Sequence, residues 1–162
     1  MHKLKDLITK LLNVITGASF IAMVALTFMQ VLMRYVFKSP LTWSEELVSY
    51  LFAWASLLGA CLVTGERGHM NIPVVLEKMP ASTQKALAIL AELIAFIFSV
   101  VILVFGGIQI AKLTMGQMTS SLGVPVGIFY VLMPAAGILN AIYAGINMID
   151  IAKGTEPAVH AE

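Results

Sequence analysis

The sequence predicts an all-α integral membrane protein with four transmembrane helices and both termini in the cytoplasm. Composition is the first observation: 59% of the 162 residues are hydrophobic and 12% charged. Soluble domains lie near roughly 45–50% apolar and about 25% charged. A mean hydropathy of +0.92 makes lipid the natural solvent for one membrane domain comprising residues 1–162. Second, four apolar runs, about 11–33, 47–64, 86–110 and 124–151, approach or exceed the roughly 20 helical residues needed to cross a hydrocarbon core. Third, none of them shows the short alternating pattern of a membrane barrel. Backbone groups cannot stay unpaired in lipid, so each run is expected to be a helix.

The first run starts with Lys3, Lys5 and Lys10, as a signal peptide does. Its apolar part exceeds the roughly 7–15 residues of a signal core and no small-residue cleavage site follows, so it is expected to remain as a helix. The following loop, 35–46, is compact and aromatic. Pro40 disfavours helix at Ser39. Thr42 and Glu45 have the spacing of a capping box that would start the second span, and Tyr35 and Trp43 suit headgroup level. The middle loop, 65–85, mixes charges with apolar residues, and a short interfacial helix is expected over 73–79. Pro134 should kink the fourth span. Residues 154–162 form a polar tail, expected to be flexible.

Basic residues set the orientation. With four spans, Lys3, Lys5, Lys10, Arg67, Lys78, Lys85 and Lys153 share one side, and Arg34, Lys38 and Lys112 lie on the other. The richer side is expected to be cytoplasmic.

Small residues mark two helix faces. Ser49, Ala53, Ser56 and Ala60 form one stripe on the second span, headed by Glu45, and Gly137, Ala141 and Gly145 form another on the fourth. Such stripes let membrane helices approach closely, within one chain or between two. Asn140 and Asn147 share a face of the fourth span with Tyr143 beside them, where buried amides can hydrogen-bond to a neighbouring helix.

Charged residues near the spans carry two readings each. Glu45 and Glu46 either favour a helix N-terminus through its dipole or contact a partner. Arg34 either snorkels to lipid phosphate or pairs with a carboxylate. Glu92 is either a proton or ion site, or a snorkelling or lysine-paired carboxylate. His69 reads as structural rather than as a metal ligand, and the ten methionines as membrane core filler.

Several function classes are disfavoured. A net charge of +1 gives no basic field for nucleic acid. The single Cys61 excludes an internal disulfide and a cysteine metal cage. His2, His69 and His160 all lie outside the spans, against a membrane haem with axial histidines. No phosphate-binding loop or nucleophile with a nearby base appears, so the chain reads as a non-enzyme without a cofactor of its own. Two rivals are a four-helix proton-coupled exporter acting as a homodimer and a membrane redox subunit. The exporter class has a carboxylate embedded in its first span, where this chain has none between Leu11 and Met33, and the redox subunit lacks its ligands.

The sequence resembles the small membrane (Q, DctQ-type) subunit of tripartite ATP-independent periplasmic (TRAP) transporters. The first matching block is Arg34-Tyr35-Val36-Phe37, then Pro40-Leu41-Thr42-Trp43-Ser44-Glu45-Glu46-Leu47, continuing through Trp54 and Gly59-Ala60 to Gly68-His69. The second is Ser121-Leu122-Gly123-Val124-Pro125, followed by Tyr130 and Pro134. Pro73 stands where the family often has an acidic residue and Gly127 where an aromatic is common.

The resemblance implies a multi-pass protein of a bacterial or archaeal cytoplasmic (inner) membrane. In such systems a periplasmic substrate-binding protein delivers an organic acid anion. A large membrane (M) subunit imports it by an elevator motion driven by sodium. The small subunit is a scaffold that stabilises the large one and binds neither substrate nor ion, so sodium is implied for the partner alone. Candidates for the subunit interface or for helix anchoring are Arg34, Tyr35, Trp43, Glu45, Glu46, the stripe Ser49, Ala53, Ser56 and Ala60, and Asn140 with Asn147. Lys38, Ser120 and Ser121 are candidates for periplasmic docking. A phospholipid between the two membrane subunits is a further expected partner.

Overall fold

The computed structural model describes residues 2–65 and 80–153. Among them it is helical, with four helices long and apolar enough to cross a membrane: Lys5–Tyr35, Thr42–Gly65, Ser82–Thr114 and Val126–Lys153. The expected interfacial helix over 73–79, His69 and the tail 154–162 lie outside the described residues.

The first span is α1, His2–Tyr35, and runs well past the apolar segment at its N-terminal end. At about 1.5 Å per residue its 34 residues reach roughly 51 Å, against a hydrocarbon core of about 30 Å. Helix hydrogen bonds are internal, so nothing forces a helix to stop where the lipid does. Its last turn widens. The Phe37 N–H donates to the Leu32 carbonyl at 3.2 Å and the Ser39 N–H to the Met33 carbonyl at 2.9 Å. Lys38 adopts φ +52°, the left-handed conformation that ends a helix. Pro40 then keeps the chain extended.

The second span, α2, is Thr42–Gly65 and starts five residues before the apolar run. Thr42 is its first helical residue rather than its cap. Ser44 closes the first turn by donating its hydroxyl to the Leu41 carbonyl at 2.7 Å, and Glu45 reaches across to α1 instead of back to Thr42.

The third span joins α3, Ala81–Phe98, to a π-helical segment, Ser99–Gly106, and then to α4, Gly107–Thr114. The fourth is divided into α5, Val126–Tyr130, and α6, Leu132–Lys153. The helix is interrupted at Val131, one turn before Pro134. Proline lacks the N–H, and its ring crowds the carbonyl four residues earlier, that of Tyr130. The next bond, from the Ala135 N–H to the Val131 carbonyl, is stretched to 3.5 Å.

α6 is the central helix. α2 packs against it, as do α3 and the π segment, while α1 packs mainly on α2. Leu12, Leu58, Cys61, Ala136 and Tyr143 form the core. Small residues permit the tightest crossings. A Cβ added at Gly137 would lie 2.7 Å from the Leu103 Cβ, and one at Gly107 would lie 2.8 Å from the Pro134 Cδ. The turns at 36–41 and 115–125 share one end of the bundle, since Arg34 meets Glu45 and Glu46 meets Ser121 there. Lys5, Lys85 and Ala152 lie at the opposite end.

Candidate functional site

The bend between the first two spans is built on two adjacent carboxylates that turn to different partners. Glu45 forms an ion pair with Arg34, tying the end of α1 to the start of α2. Both side chains remain about half exposed, which keeps the pair weak but geometrically defining. Glu46 turns the other way. Its carboxylate accepts the backbone N–H groups of Ser120 at 3.3 Å, Ser121 at 2.9 Å and Leu122 at 3.2 Å. Three successive N–H groups converging on one oxyanion form an anion nest.

Glu46 thereby shapes the second turn. Within that turn the Thr119 N–H donates to the Val124 carbonyl at 2.9 Å, and the Val126 N–H to the Gln117 carbonyl at 2.8 Å. Gly123 supplies the φ of +66° that closes it. Ser120 and Ser121 are anchored through their backbones while their side chains stay exposed, and Lys38 is exposed on the neighbouring bend. Tyr35 is also exposed, and Trp43 only partly covered.

The stripe on α2 faces out of the bundle: Ser49, Ala53, Ser56 and Ala60 are all exposed. Ser49 donates its hydroxyl to the Glu45 carbonyl at 3.0 Å, and Ser56 to the Phe52 carbonyl at 2.8 Å. Their donor needs are met within the helix, which leaves a low surface suited to close helix approach. Two grooves flank it. One, of about 560 Å³, lies between α1 and α2 and is lined by residues including Phe20, Thr27, Val48 and Phe52. The other, of about 260 Å³, lies towards α5 beside Trp54 and Phe129. The stripe on α6 behaves differently: Gly137 is sealed against the π segment, whereas a Cβ at Gly145 would meet nothing within 4 Å.

The two asparagines are used inside the bundle. Asn147 is fully buried and donates to the Thr64 carbonyl and to the Glu92 carboxylate, both at 2.9 Å, while its own oxygen accepts from the Lys5 ammonium at 3.1 Å. Glu92 is 3% exposed, so it turns inward rather than snorkelling. Beside this seam Tyr143 and Thr9 share a hydroxyl hydrogen bond of 2.8 Å. Asn140 donates to Ser99 Oγ at 2.6 Å, where the π segment begins, and its Oδ1 is buried without a hydrogen-bond partner.

The sequence marks Lys5 only as part of the basic N-terminal flank, and it gives no signal for Thr9 or Phe129 as contact residues. Phe129 receives the Trp54 indole N–H on its carbonyl at 2.9 Å and stacks on Tyr50 with ring centres 3.8 Å apart; no local spacing links these positions. Among the described residues no grouping of three His, Cys, Asp or Glu could hold a metal ion.

A family model for the DctQ component of tripartite ATP-independent periplasmic transporters matches residues 23–154. The chain is 31% identical over 139 residues to a Haemophilus influenzae protein named TRAP transporter small permease protein, covering 86% of each chain. It is 34% identical over 83 residues to the C4-dicarboxylate TRAP transporter small permease protein DctQ of Vibrio cholerae, covering 51% of this chain and 36% of the relative. It is also 33% identical over 99 residues to the sialic acid TRAP transporter permease protein SiaT of Haemophilus influenzae, covering 61% of this chain and 16% of that longer one. Such relatives are transport components rather than enzymes. With four membrane-spanning helices and a family match over most of its length, the chain belongs to the DctQ component family of TRAP transporters, as a multi-pass small permease subunit.

Proposed function

We propose that this chain is the scaffold subunit of a sodium-driven importer of an organic acid anion, seated against a large membrane subunit that moves the substrate. The observation that carries the reading is the outward face of α2. Ser49, Ala53, Ser56 and Ala60 leave a low, exposed stripe between two apolar grooves, the kind of surface a second membrane helix packs on. In SiaT the matching segment is a small part of a much longer permease, which supports a large membrane partner beside this chain. The substrates named for these relatives, sialic acid and C4-dicarboxylates, both carry carboxylates, which supports an organic acid anion as the cargo.

In this reading the membrane is the bacterial or archaeal inner membrane, and both termini face the cytoplasm. The turns at 36–41 and 115–125 then face the periplasm. Lys38, Ser120 and Ser121 meet a substrate-binding protein docked there. A phospholipid tail fits the apolar groove between α1 and α2. Sodium and substrate act on the large subunit, and no cofactor belongs to this one.

The test is uptake in proteoliposomes containing the large subunit and its binding protein, with and without this chain, under an imposed sodium gradient. Uptake that depends on both membrane chains and on the gradient supports the reading. Undiminished uptake by the large subunit alone overturns it.

A further inference from the structure

We propose that Gly107–Tyr130 forms a hinged cap on the bundle, and that Glu46 is the latch holding the cap shut against α2. The inference goes beyond the scaffold reading and does not depend on it.

The cap enters and leaves the bundle through two irregular points that touch. It enters where the third span emerges from the π-helical segment Ser99–Gly106. It leaves at the break around Val131, between α5 and α6. Gly107 joins the two points, since a Cβ there would lie 2.8 Å from Pro134 Cδ and 3.0 Å from its nitrogen. π-Helical turns and proline breaks weaken the regular hydrogen-bond ladder, and a few residues at such places can absorb a rotation.

Between these points the cap is internally tight. A Cβ at Gly127 would lie 2.5 Å from the Ala111 carbonyl oxygen and 2.9 Å from the Met115 nitrogen, so α5 rests directly on the backbone at the end of α4. The bridge between Met118 and Pro125 closes the intervening turn. Such a unit turns as a body more readily than it bends.

Its ties to α2 are few. Trp54 and Tyr50 hold Phe129 near the hinge. At the far end Glu46 holds Ser120, Ser121 and Leu122. The Glu46 tie is the charge-assisted one, lies furthest along the chain from the hinge and so has the greatest leverage. The neighbouring Glu45 binds α1 through Arg34, so one turn of α2 holds both α1 and the cap.

The test uses the full chain in lipid nanodiscs. Nitroxides are placed at Ser39 and Ser121, which are both exposed; Cys61, 2% exposed, stays unlabelled. Hydrogen exchange is followed in parallel. Glu46→Ala should lengthen and broaden the 39–121 distance distribution. It should also speed exchange at residues 119–122 about tenfold, the effect of losing a charge-assisted tie, with 132–153 unchanged. Glu46→Gln keeps an acceptor and should fall between. An unchanged distance distribution in Glu46→Ala overturns the latch. So does equal loss of protection in 132–153 in both variants, because Glu46 would then support the whole bundle rather than one jointed part.

Discussion

Asn147 donates its side-chain amide to the Glu92 carboxylate at 2.9 Å, joining α6 to α3 inside a bundle that is otherwise mostly apolar. The same amide nitrogen reaches the Thr64 carbonyl on α2, and its oxygen accepts from Lys5 on α1. One side chain therefore bonds all three other spans. Replacing it with alanine leaves Glu92 without one of its donors and the Thr64 carbonyl without this one. Asn147→Ala should destabilise the chain by about 1–3 kcal/mol, the cost of stranding buried polar groups. Thermal unfolding in detergent reads this as a lower Tm; an unchanged Tm would remove the seam from the account.

Glycines separate into those that seal contacts and those that do not. Gly127→Ala drives a methyl against the Ala111 carbonyl and should cost about 1–3 kcal/mol. Gly59 has nothing within 4 Å of an added Cβ. Gly59→Ala should stabilise the isolated chain by about 0.5–1 kcal/mol through helix propensity alone. Comparing the two melting temperatures checks the packing, and equal shifts of the same sign would contradict it.

Arg34 and Glu45 are paired but half exposed, so their mutual gain is small. Arg34→Ala should lower stability by only about 0.2–1 kcal/mol and become indistinguishable from wild type at high salt. Swapping the two charges in Arg34→Glu with Glu45→Arg should restore what Arg34→Glu alone loses. Failure of that rescue in the isolated chain would show that the pair does not fix the bend.

The four spans were legible because hydropathy over about 20 residues is a coarse signal that survives any packing. Span ends were not. Lys5–Lys10 and Ala81–Lys85 extend helices beyond the apolar runs, and residue polarity marks where lipid stops rather than where a helix does. The stripe on α2 could be read from its spacing, but its direction could not. Ser49, Ala53, Ser56 and Ala60 face outward, whereas Gly137 on α6, similar in kind, faces inward. Only the arrangement of the other helices decides which. Glu46 and Ser121 lie 75 positions apart, and no local pattern joins a helix start to a loop at that distance. The inward turn of Glu92 is set by where Asn147 sits on another helix. Pro134 announced an irregularity, but its exact place followed from the collision of the proline ring with a carbonyl one turn earlier.

The stripe also separates folding from assembly. Ala53→Leu and Ser56→Leu add bulk to an exposed face, so the isolated chain should keep its Tm. The yield of a complex with the large subunit should fall several-fold, because close helix approach needs the small side chains. Equal yields of wild-type and leucine complexes would place the interface elsewhere.

The proposed seat of α2 against a large permease subunit is tested by cysteine crosslinking in membranes that co-express the two chains. Single cysteines are introduced at Ala53 and Ser56 on the stripe and at Ile138, which is 52% exposed on α6. Crosslinks to the large subunit are expected from positions 53 and 56 and none from 138. Crosslinks from 138 with none from the stripe, or crosslinks only between copies of this chain, would contradict it.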